Sequence, residues 1–328
     1  MREDVKKYFE NLEHKNVDFK SGMMYRDGSK IIALETPSKD PKDYNPNAYK
    51  HIVDSLPAYC KEKNANSVFG IASSIMYNDN GILVPQTFPL FENNKKYSII
   101  SQDVNGLMEF GNYEVIRAEE FLPLSKTLKH NHKKLRTTED LDGYGKYNTI
   151  IESKIRNEYL ELMTEECLED LNAIMLIDEV RADSDRHFGN FFLYKKKGAD
   201  KFEGIIPIDL ECSATTNYGE ESGKEVFETF LKRSYNTCSP NGWYDGCYSY
   251  QVRLNQVRHL ITHNKLTPRL YSTLKKTINY DLPGVIRELG KKYGEHKTFK
   301  ADAEKTYETT SLLWEYNNNY LSNSLNGR

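Results

Sequence analysis

The stretch RADSDRHFGNFFLYKKKGADKFEGIIPIDLECS occupies residues 181–213 of a 328-residue chain. Three of its polar residues sit in settings that need a reason: Asp185, Asn190 five positions on, and Asp209 nineteen positions after that. Asn190 runs directly into Phe191-Phe192-Leu193-Tyr194, an apolar aromatic run that reads as a short strand. Asp209 ends a second such run, Ile205-Ile206-Pro207-Ile208. Between the two runs, Lys195-Lys196-Lys197-Gly198-Ala199-Asp200 is polar and turn-like. The expectation is therefore loop, strand, turn, strand. A hairpin of that length brings Asn190 and Asp209 together at one end.

Two oxygen-bearing side chains at one hairpin end, with a carboxylate in the preceding loop, suit phosphoryl transfer. That reaction asks for oxygen ligands to magnesium ions that bridge the phosphates. It also asks for a carboxylate that orients the attacking hydroxyl and accepts its proton. Protein kinases space their catalytic-loop Asp and metal-binding Asn as Asp-x-x-x-x-Asn, and a second metal-binding Asp follows after a hairpin. Asp185, Asn190 and Asp209 fill those three places in order.

Asp185-Arg186-His187-Phe188-Gly189-Asn190 followed by Pro207-Ile208-Asp209 resembles the signature of HipA-type atypical kinases. The same signature occurs in phosphoinositide lipid kinases, and the two groups share a kinase-like fold. The long apolar helix leading into the motif also looks like the HipA-type pattern. The recognisable part covers about residues 160–213. The resemblance implies an α+β, two-lobed, protein-kinase-like fold, with a small β-rich N-lobe over 1–110 and a larger helical C-lobe over 111–328. It implies a serine/threonine kinase that uses ATP and Mg2+, with Asp185 as catalytic base and Asn190 and Asp209 as metal and nucleotide ligands. His187 would brace the loop backbone and Arg186 a nearby acid. The acceptor would be a hydroxyl on a protein, with a lipid or small molecule as the other choices. HipA-type proteins often belong to toxin–antitoxin pairs, so a cognate antitoxin-like regulatory partner is the protein partner to consider. The alternative in a different class is a catalytically weak or inactive kinase-like interaction module.

Composition sets bounds on this. Hydrophobic residues make up 38% and aromatic residues 12%, with 23 tyrosines; a disordered chain has few aromatics. The net charge of −3 does not indicate nucleic acid as a partner. A local basic run over 126–136 suits either a solvated loop or a patch for an acidic partner. The five cysteines, at 60, 167, 212, 238 and 247, have no Cys-x-x-Cys spacing. A zinc site or disulfide framework is not expected, and a reducing cytoplasm is. No leader-like N-terminus and no apolar run of membrane-spanning length is evident.

Along the chain, residues 1–16 read as a short helix. Residues 23–25 and 30–34 read as a hairpin around Asp27-Gly28. Lys30, opening the second strand, is the candidate lysine for the nucleotide phosphates, with Lys20 and Lys50 as alternatives. There is no Gly-rich phosphate loop; Gly22, Gly28 and Gly70 stand alone. Residues 48–63 read as a helix, and Glu62 is its only Glu. Residues 67–76, 81–84 and 97–104 read as strands joined by Asn-Gly and Asn-Asn-Lys-Lys turns. Residues 114–122 fit a strand or a short helix. Residues 159–180 form the clearest helical pattern, with Leu160, Met163, Cys167, Leu171, Ile174, Met175 and Asp178 at spacings of three and four and the acids mostly opposite. Asp178 and Asp183 are expected either to orient the loop through its backbone N–H groups or to be solvated. Glu211 stands where kinases usually carry Gly, as an extra metal ligand or a repulsive charge. Helices are expected over 226–231, 251–262, 268–277, 282–293 and 301–321. Trp243, Tyr244, Tyr248 and Tyr250 read as packing anchors.

Overall fold

A computed structural model of the chain describes residues 3–7, 23–27, 30–34, 58–61, 67–85, 87–93, 96–102, 104, 107, 112–118, 161–183, 186, 190–211, 224–225, 234–235 and 248–326. Asp185, His187, Glu62, the basic run 126–136, the helix expected over 226–231, Trp243 and Tyr244 lie outside the described residues, as does the side chain of Lys30.

The first sheet has five antiparallel strands: β1 (Met23–Asp27), β2 (Lys30–Leu34), β3 (Ala58–Lys61), β4 (Thr87–Asn93) and β5 (Lys96–Gln102), in the order β1-β2-β3-β5-β4. The hairpin expected at Asp27-Gly28 forms, with Asp27 opposite Lys30. The helix expected over 48–63 does not extend through its last part. Residues 58–61 are a strand, because their backbone pairs with β5 from Ala58 opposite Gln102 to Lys61 opposite Ile99.

A second correction falls on 67–76. These residues are not strand but part of helix α1 (Ser67–Asp79). Ser67 through Ser74, Met76 and Tyr77 are all buried. A helix buried on every side loses the polar stripe that marks its period, so its apolar run reads like a core strand. The Asn80-Gly81 pair closes this helix instead of turning a hairpin. Gly81 N–H donates to Asn78 O at 2.9 Å and Ile82 N–H to Tyr77 O at 3.0 Å, the Schellman pattern. Residues 82–84 are irregular, not strand.

The second sheet joins β6 (Tyr113–Arg117), β7 (Phe191–Lys196) and β8 (Gly204–Pro207), in the order β6-β7-β8. The aromatic run is buried on both faces, which explains why it lacks alternation. Phe191 and Leu193 face the main core, whereas Phe192 and Tyr194 face a smaller cluster with Val5, Tyr113, Val115 and Ile206. Tyr194 lies across Gly204, its cross-strand partner, and packs edge-on to Tyr113 with ring centroids 5.8 Å apart. A methyl group at Gly204 would collide with the Tyr194 ring at its hydroxyl end. The Gly204→Ala variant is expected to lose about 1–3 kcal/mol of stability through overpacking. Chemical denaturation measures it, and an unchanged midpoint would refute the packing argument.

Helix α2 (Glu165–Val180) is the pillar behind this sheet. It begins where Thr164 Oγ1 accepts the Cys167 N–H at 3.2 Å, six residues later than the sequence pattern suggests. Just before it, Met163 bridges to Phe202. Every residue from Ala173 to Val180 is buried. Asp170, one of the acids read as lying opposite the apolar stripe, is buried and is bound by Arg269. A short ladder pairs β9 (Ser234–Tyr235) with β10 (Tyr248–Ser249). The remainder is helical: α3 (Tyr250–Thr262), α4 (Pro268–Ile278), α5 (Leu282–Lys292) and α6 (Lys297–Asn317). A π-helical turn, Asn318–Ser322, and α7 (Asn323–Asn326) follow. Strands thus dominate the first part and helices the last, an α+β arrangement. The main core spans α1, α2 and α3 to α7, so α1 shares its core with the C-terminal helices. No described helix is long and apolar enough to cross a membrane.

Candidate active site

The C-terminal end of α2 carries a buried cluster of charges. Arg181, Asp178, Asp183 and Arg186 are each no more than 1% exposed. The chain leaves the helix through a Schellman turn: Ala182 N–H donates to Glu179 O at 3.2 Å and Asp183 N–H to Asp178 O at 2.9 Å. Ala182 takes the left-handed conformation, φ 58°. Val180 O, at the helix end, accepts from Asn317 Nδ2 at 2.7 Å.

Asp178 sits at the centre. Its Oδ2 accepts from Arg186 Nε at 2.9 Å and its Oδ1 from Arg181 Nε at 3.3 Å. The Tyr77 hydroxyl of α1 donates to the same Oδ1. Asp183 binds Arg181 Nη2 and lies 3.6 Å from Arg186 Nη2. The two acids therefore both bind guanidinium groups, and neither is solvated. Burial alone would push the Asp178 carboxyl up. The Arg186 and Arg181 charges, with hydrogen bonds from Arg186 and Tyr77, outweigh burial and hold it below the usual carboxylate range. Burial and the Asp178 charge push the Tyr77 hydroxyl up, so it stays a donor.

Arg186, the motif arginine, staples the hairpin. Its Nη1 donates to Asn190 O at 2.6 Å and to Ile208 O at 2.9 Å. Ile208 N–H donates back to Asn190 O at 3.0 Å, continuing the ladder one step past Phe191 opposite Pro207. Asn190 and Asp209 thus lie at one end of the hairpin. Asn190 is buried; Asp209 is half-buried with φ 59°. A short polar side chain tolerates that left-handed backbone better than an apolar or branched one. One carboxylate and one amide oxygen suit a hard cation such as magnesium, which keeps waters and phosphate oxygens as its other ligands. Among the described residues no group of three or more His, Cys, Asp or Glu could hold a metal ion.

The backbone of Lys30 lies inside the five-stranded sheet, opposite both Asp27 and Tyr59. Leu210 and Glu211, directly after Asp209, are buried. The residues that sequence reasoning missed are Arg181 and the α1 side chains Phe69, Ser73 and Tyr77. Their one signal is a spacing of four, which puts the three on a single helical face. A strand assignment hides it.

No family model matches the chain, and no curated protein matches it. Among solved structures, the chain is similar to a Helicobacter pylori proinflammatory kinase, CtkA. The identity is 14%, with 82% of this chain and 88% of that one covered and a TM-score of 0.49. It is also similar to HipA in a Shewanella oneidensis MR-1 toxin–antitoxin complex of HipA, HipB and operator DNA. There the identity is 11% and the TM-score 0.43, with 81% of this chain covered and 59% of the length of that one.

Proposed function

We propose that the chain is a HipA-like phosphotransferase that moves the γ-phosphate of Mg-ATP to a hydroxyl acceptor, a serine or threonine of a protein. The observation that carries this reading is the Arg186 staple. A single guanidinium from the Asp-Arg-His motif binds the carbonyl of Asn190 and the carbonyl of the residue before Asp209. It is itself anchored on the buried Asp178. Arg186 thereby ties together the backbone on which the two prospective metal ligands stand. Asn190 and Asp209 would hold magnesium, which when bound neutralises charge on the β- and γ-phosphates. Asp185 orients the acceptor hydroxyl and takes its proton, and His187 braces the loop. Lys30 is the proposed phosphate-facing lysine of a β-rich N-lobe over 1–110, set on a helical C-lobe over 111–328. Helix α1 packs into the second half, and Tyr97 of β5 joins it there, its hydroxyl donating to Asp302 at 2.7 Å. The cytoplasm is the proposed setting, with an antitoxin-like chain as the partner class.

One observation favours a weak or inactive interaction module instead. The helix between β3 and β4, SVFGIASSIMYND, has no acidic residue before Asp79, so it offers no Glu to hold a strand lysine. Thermal unfolding with and without Mg-ATP separates the two. Ligand at about 100 times its Kd stabilises by about 2.7 kcal/mol. The Asp185→Asn variant is expected to keep that stabilisation and to lose phosphate transfer by about 10²–10⁴-fold. Wild-type transfer rates in Asp185→Asn would remove Asp185 as the base. No response to any nucleotide would leave the interaction module as the reading.

A further inference from the structure

Two main-chain carbonyls flank Asp209, and a different buried arginine holds each. Ile208 O accepts from Arg186 at 2.9 Å, and Leu210 O accepts from Arg181 at 2.8 Å. Arg186 belongs to the motif; Arg181 does not. Arg181, at the C-terminal cap of α2, is also the one that reaches α1. The Nη1 that binds Leu210 O donates to Ser73 Oγ on α1 at 3.0 Å. The Phe69 and Tyr77 rings, one turn to either side of Ser73, lie 5.6 and 5.5 Å from the same guanidinium. Next to this contact Glu211 packs on α1 directly: its Cγ lies 2.7 Å from where a Cβ on Gly70 would sit. Helix α1 therefore meets the chain just after Asp209 twice, once through Arg181 and once through Gly70.

We propose that Arg181 is a positioning residue for Asp209. It acts through the Leu210 carbonyl and is set in place by α1. This rests on Asp209 being a magnesium ligand of the phosphotransfer site. Arg181 touches no reacting group; it holds the left-handed turn, φ 59° at Asp209, that aims the carboxylate. Such a backbone conformation persists where its surroundings over-determine it. The fork of the guanidinium makes the tie possible: Nε meets Asp178, Nη2 meets Asp183, and Nη1 meets both Ser73 and Leu210. A lysine keeps the charge but has one nitrogen and cannot span these segments.

Ser73→Ala and Arg181→Lys test this, since both leave the charge count of the buried cluster unchanged. Two quantities are measured: hydrogen exchange of the amides of residues 208–211, and the Mg2+ concentration for half-maximal turnover at saturating ATP. Loss of a charge-assisted bond is expected to speed exchange there by roughly tenfold or more, with α4, α5 and α6 protected as in wild type. The Mg2+ requirement rises by a similar factor, roughly tenfold, while the KM for ATP moves less than about twofold. Three results would overturn the proposal: unchanged exchange at 208–211, an equal loss of protection across all helices, or a wild-type Mg2+ requirement in Arg181→Lys. If the wild-type protein shows no Mg-nucleotide response at all, the phosphotransfer reading fails. The exchange data still decide whether Arg181 holds the Asp209 turn.

Discussion

Asp209→Asn is expected to abolish both magnesium-dependent nucleotide stabilisation and turnover. Asparagine is the informative replacement because it has nearly the same shape and also accepts a left-handed backbone, so the turn at φ 59° survives. What disappears is the negative charge. Magnesium dehydrates reluctantly and is held by one or two carboxylates together with phosphate oxygens. With Asn190 neutral, Asp209 is the anionic ligand proposed at the hairpin end. Its loss therefore removes most of the local attraction for the ion. In thermal unfolding, the roughly 2.7 kcal/mol that Mg-ATP gives wild type at about 100 times its Kd should vanish. The nucleotide-free midpoint should stay close to that of wild type. A magnesium-dependent shift retained in Asp209→Asn would refute the ligand assignment.

The second large effect lies behind the site. Asp178 is fully buried and bound to Arg186, Arg181 and Tyr77. Asp178→Asn removes the charge that faces both guanidiniums and, among the described residues, leaves Asp183 as the acid bound to them. Breaking a buried pair by removing one partner costs about 3–5 kcal/mol. In a domain of this size the thermal midpoint should drop on the order of 10 °C. The acid side of the stability curve gives an independent check. The Asp178 carboxyl is held below its ordinary value in the folded protein, so it contributes stability above the unfolded-state pKa. That contribution is lost as pH falls through the folded value. Wild type should therefore lose stability more steeply than Asp178→Asn once the pH is below about 4. Equal midpoints at neutral pH, or parallel acid limbs, would show that Asp178 does not carry the cluster.

Which parts were legible in the sequence follows from where each residue finds its partners. The β7–β8 hairpin is local: an aromatic run, a Gly-containing turn and a second apolar run specify their own pairing. Asn190 and Asp209 end up at one end for that reason alone. Helices α3 to α6 were legible because each keeps a polar face and an apolar face, and α2 because its first half does. Helix α1 was not, because burial on all sides removes the contrast that reveals a period. Residues 58–61 became strand because β5 offered a pairing edge, and local propensity does not report that.

The charged cluster marks the sharper division. In sequence, Asp178 and Asp183 look like loop acids and Arg181 like a helix-end cation, each suited to water. Burying such groups is costly unless every charge meets an opposite one. The partners come from Ser73 and Tyr77, about a hundred residues upstream, and from Leu210. The sequence by itself determined the hairpin, the pillar helix and the spacing of Asp185, Asn190 and Asp209, because local propensity and pattern suffice for those. Only the tertiary structure decided that α1 is a helix and that two buried arginines hold the carbonyls on either side of Asp209. Burial energies and long-range hydrogen bonds exist only once the distant segments have met.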